Sequence, residues 1–380
     1  MQIIIRTTIV TAFAVFLARS SAAQTPSYTL ISGEIGPGAS YEIAMPTTPW
    51  NGELVVFAQG IGDPNDPIAP PNPGVLRDTF TSQGFALIYT SRSVNGYGAV
   101  KDGMQRTHQL RGIFVATIGQ PTRVYLVGRS LGSLIAVMLA ESYPGQYDGV
   151  LAGCGLLAGG ATELAYLADA RVLFDYFFPG VIPFGPFDLS PDPVFLPGHP
   201  LYEAVLKALV DGFSSPGKPT PQFARAANLQ AITPSEIITA GLITVGFTVK
   251  QAHDLLEVTH GHMPYDNTLT VYTGSDNDAA MNDGVARYVQ EPSAVNYIEH
   301  YYTPTGDLHV PVLTLHKVRD PLNPNFHETI YAGRVADAGA SAFLLQRTVD
   351  GFGHCGFPGA ETTAFPELVQ WVKTGVKPQN

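Results

Sequence analysis

The segment Gly128-Arg129-Ser130-Leu131-Gly132 places one serine where it can act as a nucleophile. A strand-like apolar run, VYLV, ends just before the segment, and a helix-like run, LGSLIAVMLAESY, begins directly after the serine. Such a tight strand-to-helix turn needs glycine two residues before and after the serine, because side chains there would clash. The helix start would also offer free N–H groups and a positive dipole end to a developing oxyanion. The pattern predicts that Ser130 attacks a carbonyl carbon; the alternative is a structural turn whose serine only caps the helix.

A serine hydroxyl is a poor nucleophile at neutral pH, so a base must remove its proton. Of the ten histidines, His354 fits this role because it lies in the glycine-rich loop DGFGHCGF, directly after the strand-like FLLQRTV. His108 lies within a predicted helix, and His316 ends an earlier predicted strand. His260 and His262 form an H-x-H pair, but no third ligand stands near them, so we expect no metal site.

The acid that orients the histidine should stand between the serine and the histidine in the chain. Asp320 follows the strand-like run VPVLTL and precedes a proline, leaving room for one helix and one strand before His354. We predict that Asp320 orients the imidazole and stabilises its charged form. The alternatives are a solvated turn aspartate at this position, or Asp350 as the acid. Asp350 lies in the same loop as His354 and is badly placed to reach the far ring nitrogen.

Two backbone N–H groups should face the carbonyl oxygen of the substrate. One is predicted to be that of Leu131, directly after the nucleophile. The other should come from the loop Ala58-Gln-Gly-Ile-Gly62, which follows the apolar run LVVF. Glycine allows the backbone to approach a substrate closely, so we assign Gly60, although the loop leaves open which N–H points inward.

Short apolar runs alternate with amphipathic segments of helical length. This pattern is typical of parallel strands covered by helices on both faces. The predicted strands are 54–57, 85–89, 124–127, 150–152, 310–315 and 343–349, and the predicted helices are 75–82, 100–118, 131–143, 326–338 and 366–374. Residues 28–45 are rich in turn residues and predict an antiparallel hairpin at the sheet edge. We therefore expect an α/β fold with a doubly wound, mostly parallel sheet.

Residues 157–303 interrupt this alternation. They open with the helix-like run LAYLADARVLFDYFF, which a proline-rich loop follows. Further helical patterns occur near residues 201–213, 234–240, 249–258 and 278–289. We predict a mostly helical cap, 157–303, inserted into a catalytic domain formed by residues 24–156 and 304–380.

The segment VYLVGRSLGS, followed by YPGQYDGVLAGCG, resembles the α/β-hydrolase superfamily. The resemblance covers residues 54–154 and 310–371, and it includes the order of strand, serine turn, helix, strand, acid and histidine. It implies the α/β-hydrolase fold with Ser130, Asp320 and His354 as a catalytic triad. Within the superfamily, the pair His354-Cys355 and the run YPGQYDGVLAG are similar to tannases and feruloyl esterases. That branch has a second cysteine before the serine, where this chain has Arg129, so its substrate is not carried over.

The chain has two cysteines, Cys154 and Cys355. Cys154 ends the predicted strand after the nucleophile helix, and Cys355 directly follows His354. Both should lie at the C-terminal edge of the sheet, where such folds place their chemistry. In an exported protein we predict a disulfide between them that fixes the histidine loop; the alternative is two free, buried thiols.

Residues 1–23 predict a secretory signal peptide. They combine an early Arg6, an apolar run over residues 9–18 and small residues at 21–23. The apolar run is shorter than the about 20 residues that span a bilayer, so we expect a secreted or periplasmic protein without stable membrane insertion. The alternative is a buried N-terminal helix.

Composition excludes several classes of function. Hydrophobic residues make up 45% and charged residues 14% of the chain, which indicates a folded protein with a substantial core. A net charge of −11 argues against non-specific binding to nucleic acid. There is no G-x-G-x-x-G after a strand and no phosphate-binding loop, so we expect no cofactor. The sequence leaves the oligomeric state open.

The predicted cap is rich in aromatic residues and proline, with VLFDYFFPGVIPFGPF as the densest run. Such a cap typically covers an apolar acyl or aryl pocket; alternatively these side chains form only the core of the cap. We expect a secreted serine esterase that cleaves a small-molecule or polymeric ester through an acyl-enzyme. An aminopeptidase or amidase, an acyltransferase with the same triad, and a non-catalytic binding protein remain alternatives. The sequence does not separate a lipase, a polyester hydrolase and a small-ester hydrolase.

Overall fold

A computed structural model of the protein describes residues 27–188 and 194–379, and the predicted signal peptide lies outside these residues. Eight strands form one sheet in the order β1-β2-β4-β3-β5-β6-β7-β8. They are β1 Tyr28–Glu34, β2 Ser40–Pro46, β3 Glu53–Ala58, β4 Ala86–Thr90, β5 Arg123–Arg129, β6 Gly149–Gly153, β7 Val312–Arg319 and β8 Leu344–Phe352. The pairs β1·β2 and β2·β4 are antiparallel, and all other pairs are parallel. The predicted edge hairpin, the predicted strands and the α/β-hydrolase fold are confirmed.

The central strands are buried because both faces of the sheet are covered. Every residue of β3, β4 and β6 is buried. Along β3, Leu54 and Val56 pack into one hydrophobic cluster, and Val55 and Phe57 pack into a second cluster on the opposite face. Burying each such side chain contributes about 1.5–3 kcal/mol, which explains why the sequence shows continuous apolar runs instead of alternation.

Eleven α-helices lie within the described residues. They are α1 Val75–Ser82, α2 Val100–Thr117, α3 Leu131–Ser142, α4 Gly160–Phe177, α5 Pro200–Asp211, α6 Pro219–Ala226, α7 Pro234–Val258, α8 Asp278–Gly284, α9 Pro292–Tyr302, α10 Phe326–Asp337 and α11 Ala360–Thr374. None of them is both long and apolar enough to cross a membrane.

The last helix begins earlier than predicted. The prediction started it at Pro366, but α11 begins at Ala360 and contains this proline in its interior. Proline removes one helical hydrogen bond. Phe365, Leu368 and Trp371 of α11 are buried in the sheet-side cluster, and this packing offsets the local cost.

The stretch between β6 and β7 contains α4 to α9, and its described residues form no strand. Two predicted helical segments, 234–240 and 249–258, are parts of the single helix α7. A capping box of Thr233 and Glu236 begins α7, and Ala240 and Val245 are buried where it packs on α4 and α5. The prediction missed α6 and α9 and extended α8 too far. This stretch shares one hydrophobic cluster with a face of the sheet, so it packs directly on the sheet domain.

Candidate active site

Ser130 occupies a strained turn between β5 and α3. Its backbone has φ 55° and ψ −126°, a region that non-glycine residues enter at a cost of about 1–3 kcal/mol. The Ser130 N–H donates a hydrogen bond to the Gly153 carbonyl, with an N···O distance of 2.9 Å. A Cβ atom at Gly128 would lie 2.2 Å from the carbonyl oxygen of Gly132, and one at Gly132 would lie 2.1 Å from that of Ala58. Both glycines are therefore required for the turn, as predicted.

The loop after β3 lies directly beside the serine. A Cβ atom at Gly60 would lie 3.4 Å from the Cβ of Ser130. The buried Arg92 guanidinium donates hydrogen bonds to the carbonyls of Gln59 and Gly60, at 3.3 and 2.7 Å. Burial lowers the pKa of Arg92 to about 10, and Arg92 still carries its charge at neutral pH. The sequence analysis missed Arg92, which fixes the loop. Leu131 is the first residue of α3, so its N–H lies at the helix N-terminus.

Asp320 and His354 form a hydrogen-bonded pair. Asp320 follows β7 and is fully buried. Its Oδ1 accepts hydrogen bonds from the backbone N–H groups of Leu322 and Asn323, at 2.9 and 3.0 Å. Its Oδ2 lies 2.8 Å from Nδ1 of His354. Because the carboxylate can only accept, Nδ1 carries a proton and Nε2 is left free to act as a base. The aspartate that contacts His354 is thus Asp320 and not Asp350.

His354 makes no hydrogen bond to the serine hydroxyl in this conformation of the described residues. Among the hydrogen bonds of residues 27–188 and 194–379, none joins the Ser130 hydroxyl and His354, and Nε2 instead lies 3.2 Å from Cys355 Sγ. A ring nitrogen of His354 is within 4.8 Å of Cys154 Sγ. Cys154 directly follows Gly153, the residue that accepts the hydrogen bond from the backbone of Ser130. The serine and the histidine therefore lie at the same edge of the sheet.

A disulfide joins Cys154 and Cys355, as expected, with the two Cα atoms 5.3 Å apart. The Asn323 side-chain amide donates a hydrogen bond of 2.7 Å to the carbonyl of Cys154. Cys154 thus connects three segments: the end of β6, the loop that contains Asp320 and the loop that contains His354. The two sulfurs are bonded to each other, so they do not offer the thiolates that a metal would need.

Arg129 stands where tannases and feruloyl esterases have a cysteine before the serine. Its guanidinium donates hydrogen bonds to both carboxylate oxygens of Glu361 on α11. Helix α11 follows the histidine loop, so an ion pair links the serine turn to the same region that the disulfide holds.

A buried histidine and glutamate lie close to the site and were missed by the sequence analysis. His327 Nδ1 accepts a hydrogen bond of 3.0 Å from the Ala158 N–H, so Nε2 carries the proton and donates it to Glu163 Oε2 at 2.7 Å. Burial lowers the pKa of His327 to about 3 and raises the pKa of Glu163. His327 is therefore neutral near pH 7. The signal in the sequence was a single acid within the apolar run GGATELAYLA.

His316 lies behind the acid. Its Nε2 donates a hydrogen bond of 2.6 Å to the carbonyl of Asn323, and its Nδ1 lies 3.1 Å from Glu328 Oε1. Burial opposes its charge, but the contact with Glu328 outweighs burial and raises the pKa of His316. His316 Nε2 lies 3.8 Å from Asp320 Oδ2, so His316 packs beside the predicted acid.

Two neighbouring cavities lie near the serine, and the smaller one reaches it. A small one is lined by Ile61, Tyr97, Ser130, Leu131, Leu156, Glu163, Phe247, Leu322 and Asn323. A larger, open cleft of about 510 Å³ lies between the loop after β3 and helix α7. Ile61, Phe247 and Leu322 line both, so these three side chains separate the cleft from the serine. The ion pair of Asp63 and Lys250, with an N···O distance of 2.5 Å, links the loop to α7 beside the cleft.

Several solved structures are similar in fold. Feruloyl esterase B from Aspergillus oryzae has 15% sequence identity and a TM-score of 0.49, with 92% of this chain and 81% of that chain covered. Another esterase from Aspergillus oryzae has 15% identity and a TM-score of 0.47, with 92% and 80% covered. An esterase of Pyrococcus furiosus has 10% identity and a TM-score of 0.46, with 92% and 94% covered.

No curated protein matches the chain significantly. A family profile described as "Tannase-like family of unknown function (DUF6351)" matches residues 35–250, which is more than half of the chain. The chain therefore belongs to this tannase-like family of unknown function.

Proposed function

We propose that the protein is a serine carboxylic ester hydrolase. The observation that carries this proposal is the buried Asp320 carboxylate, which holds His354 at the sheet edge where the strained turn presents Ser130. These are the groups and the chain order that acyl transfer through a serine requires.

In the proposed reaction, the Ser130 hydroxyl attacks the ester carbonyl carbon while His354 Nε2 takes its proton. The N–H groups of Leu131 and Gly60 bind the oxyanion of the tetrahedral intermediate. His354 then returns the proton to the leaving alcohol, and an acyl-enzyme remains on Ser130. Water, deprotonated by the same imidazole, then attacks the acyl carbon. The bond between this carbon and Ser130 Oγ breaks, the acid leaves, and the imidazolium returns the proton to Oγ. Asp320 stabilises the imidazolium that forms in both steps.

The mechanism requires the imidazole to move away from Cys355 Sγ and towards the serine. The histidine loop contains Gly351 and Gly353, with φ of 122° and 115°, which only glycine adopts readily. Catalytic hydrogen bonds are often long in the absence of substrate and shorten when it binds. We infer that substrate binding brings His354 into contact with Ser130.

The proposed substrate is an ester with an apolar or aromatic part. Most side chains along the open cleft are apolar, and Phe195, Tyr202 and Phe247 are aromatic. The cleft favours such a group by about 25 cal/mol for each Å² of apolar surface that binding buries.

We also propose that the protein is exported. The predicted signal peptide and the disulfide support this location, because disulfides persist in oxidising compartments. Cell fractionation of the full-length chain tests it, and a protein retained with an intact N-terminus in the cytoplasm would contradict it.

The central test is labelling by a fluorophosphonate probe. We expect the wild type to be labelled and Ser130→Ala to lose the label. The matched control is Ser133→Ala, which removes another buried hydroxyl of the same helix and should keep labelling within about twofold. Equal labelling of wild type and Ser130→Ala would contradict the proposal, and an unlabelled wild type would favour a non-catalytic binding protein.

A second measurement separates the ester and amide activities. We expect p-nitrophenyl esters to be cleaved with a higher kcat/KM than aminoacyl anilides. The reverse order would identify an aminopeptidase or amidase.

A further inference from the structure

A buried arginine donates hydrogen bonds to the loop that follows β3. Arg92 is 2% exposed, and within the described residues its hydrogen bonds are the two to the carbonyls of Gln59 and Gly60. The Asp102 carboxylate attracts the guanidinium, but this carboxylate accepts hydrogen bonds from the N–H and the hydroxyl of Ser93. Burying a cation is costly, so a cation that is buried against two carbonyls of one loop needs a reason.

The two carbonyls belong to consecutive peptide groups, and this sets the direction of two N–H groups. The Gln59 carbonyl shares its peptide plane with the Gly60 N–H, and the Gly60 carbonyl shares its plane with the Ile61 N–H. In a trans peptide, the form of the described peptide bonds, the N–H points opposite to the C=O. Because Arg92 holds both carbonyls, the N–H groups of Gly60 and Ile61 both point away from the guanidinium. Two successive N–H groups that point to one side form a concave site for an anion.

The serine lies on the side of the loop that faces away from Arg92. A Cβ atom at Gly60 would lie 3.4 Å from the Cβ of Ser130, and Ile61 lines the small cavity together with Ser130 and Leu131. Arg92 lines neither this cavity nor the open cleft. Among the hydrogen bonds of the described residues, none uses the N–H of Gly60 or of Ile61. Both donors are therefore available to an oxygen of a ligand at the serine.

Helix α2 leaves room for the stem of Arg92. A Cβ atom at Gly103, on the first turn of α2, would lie 3.1 Å from Arg92 Cδ and 2.7 Å from Ile135 Cδ1. Glycine within a helix is unfavourable relative to alanine, so the space that these two side chains occupy explains glycine at this position. The Arg92 stem thus lies between α2 and the loop, which limits the movement of the guanidinium.

We propose that Arg92 is a positioning residue of the oxyanion site: through two loop carbonyls it directs the N–H groups of Gly60 and Ile61 at the carbonyl oxygen of the substrate. This inference rests on the proposed function, in which the loop supplies the second oxyanion donor beside Leu131. The cation also polarises the two peptide groups, which strengthens the hydrogen bonds that their N–H groups donate. Arg92 acts through the backbone and touches no substrate atom.

The first test replaces Arg92 by methionine, which keeps a long apolar stem and removes the charge and both donors. Loss of one oxyanion donor costs about 10²–10³-fold in kcat, and a donor that is present but misdirected should cost less. For a p-nitrophenyl ester we expect Arg92→Met to lower kcat by about 10–100-fold and to change KM by less than about threefold, because the oxyanion exists only after attack. Arg92→Lys keeps the charge but lacks the fork that holds two carbonyls, so its loss should be intermediate.

The second test measures binding of the oxyanion itself. The carbonyl carbon of benzyl trifluoromethyl ketone forms a bond to Ser130 Oγ, the hydroxyl proton passes to His354 Nε2, and the carbonyl oxygen becomes an oxyanion. The alcohol obtained by reducing this ketone has a similar shape and cannot form the adduct. We expect Arg92→Met to raise the Ki of the ketone by the factor by which kcat/KM falls, and to change the Ki of the alcohol by less than about twofold.

The matched control is Arg171→Met. Arg171 on α4 is also fully buried and also donates a hydrogen bond to a backbone carbonyl, that of Phe184. It does not contact the loop after β3 through any hydrogen bond of the described residues. Its replacement should therefore leave kcat and the Ki of the ketone within about twofold of the wild type.

The possible failures are distinguishable. If the wild type neither hydrolyses the ester nor binds the ketone more tightly than the alcohol, the proposed function is wrong. If the wild type is active, a folded variant at Arg92 with the wild-type kcat and ketone Ki overturns the inference on Arg92. Equal losses in Arg171→Met overturn it as well, because they would show a general effect of removing a buried arginine.

A measurement on the wild type decides the question if the Arg92 variants do not fold. In a crystal structure of the ketone adduct, we expect the hemiketal oxygen within about 3.1 Å of the backbone nitrogen of Gly60 or of Ile61. We also expect the Arg92 guanidinium to keep its hydrogen bonds to the two loop carbonyls. A hemiketal oxygen that neither N–H binds, or a loop that has left Arg92, would overturn the inference.

Discussion

Removing the disulfide should destabilise the fold and impair the proposed catalytic role of His354. The change is the double variant Cys154→Ala/Cys355→Ala. Both cysteines have positive φ, 49° and 54°. Alanine keeps the Cβ atom and adds no backbone strain beyond that already present. The variant therefore isolates the covalent link itself, which ties the end of β6 to the residue after His354.

The magnitude follows from the length of the chain that the bridge closes. The two cysteines are 201 residues apart in sequence. The chain-entropy model gives a loss of about 18 cal/mol/K for a closed loop of that length, or about 5 kcal/mol at 25 °C. Measured losses are often smaller than this value, so we expect the free energy of unfolding to fall by about 3–5 kcal/mol. This is a large part of the roughly 5–15 kcal/mol that stabilises most domains.

The assay is urea unfolding followed by tryptophan fluorescence, together with steady-state kinetics on a p-nitrophenyl ester. We expect a lower urea concentration at the unfolding midpoint. We also expect kcat to fall by about tenfold or more, with KM less affected, because a more mobile histidine loop lowers the fraction of enzyme molecules in which His354 is correctly placed. Wild type treated with dithiothreitol should behave like the variant, and the variant should not respond to the reductant. A variant with the wild-type midpoint would refute the stability argument, and one with the wild-type kcat would refute the positioning argument.

Two further predictions concern buried groups around the site. Asp320→Asn should lower kcat by about 10³–10⁴-fold, because an amide facing Nδ1 leaves the imidazole proton on Nε2, which can then no longer act as a base. The far-ultraviolet circular dichroism spectrum should be unchanged. A loss of kcat below about tenfold would contradict the proposed role of Asp320. The second prediction concerns His327, whose pKa is lowered by burial to about 3 from an ordinary value of 6.5, so its contribution to stability is present above pH 6.5 and is lost as the pH falls. The stability advantage of the wild type over His327→Gln should therefore shrink by about 2 kcal/mol between pH 7 and pH 5 in denaturant titrations. A constant difference would show that folding does not lower the pKa of His327.

The sequence predicted the elements whose side chains are buried on both faces. Runs such as LVVF and VYLV are too short to form a buried helix and too apolar to form an exposed strand, so they indicate strands inside a covered sheet. The glycines around Ser130 leave little conformational choice at the serine turn. The acid and the histidine each follow a strand closely, so the sheet order alone places them at one edge.

Other features depend on tertiary contacts that a linear pattern does not contain. The sequence predicts two segments for helix α7, because glycine and β-branched residues interrupt its helical pattern. Packing against α4 and α5 stabilises it as one continuous helix. The pairing of Glu163 with His327 spans 164 residues, and no local pattern relates the two. Arg92 likewise acts on a loop more than thirty residues earlier in the chain, through backbone carbonyls that have no sequence signature.

The ion pair between Arg129 and Glu361 has a consequence for biosynthesis. The serine turn leaves the ribosome long before α11 exists, so during translation the Arg129 guanidinium lacks this counter-charge and the serine has no imidazole. Under the proposed function, a chain translated only as far as the serine turn is chemically inert, because it still lacks His354. A host that exports this chain before it folds would thus have no active esterase in its own cytoplasm.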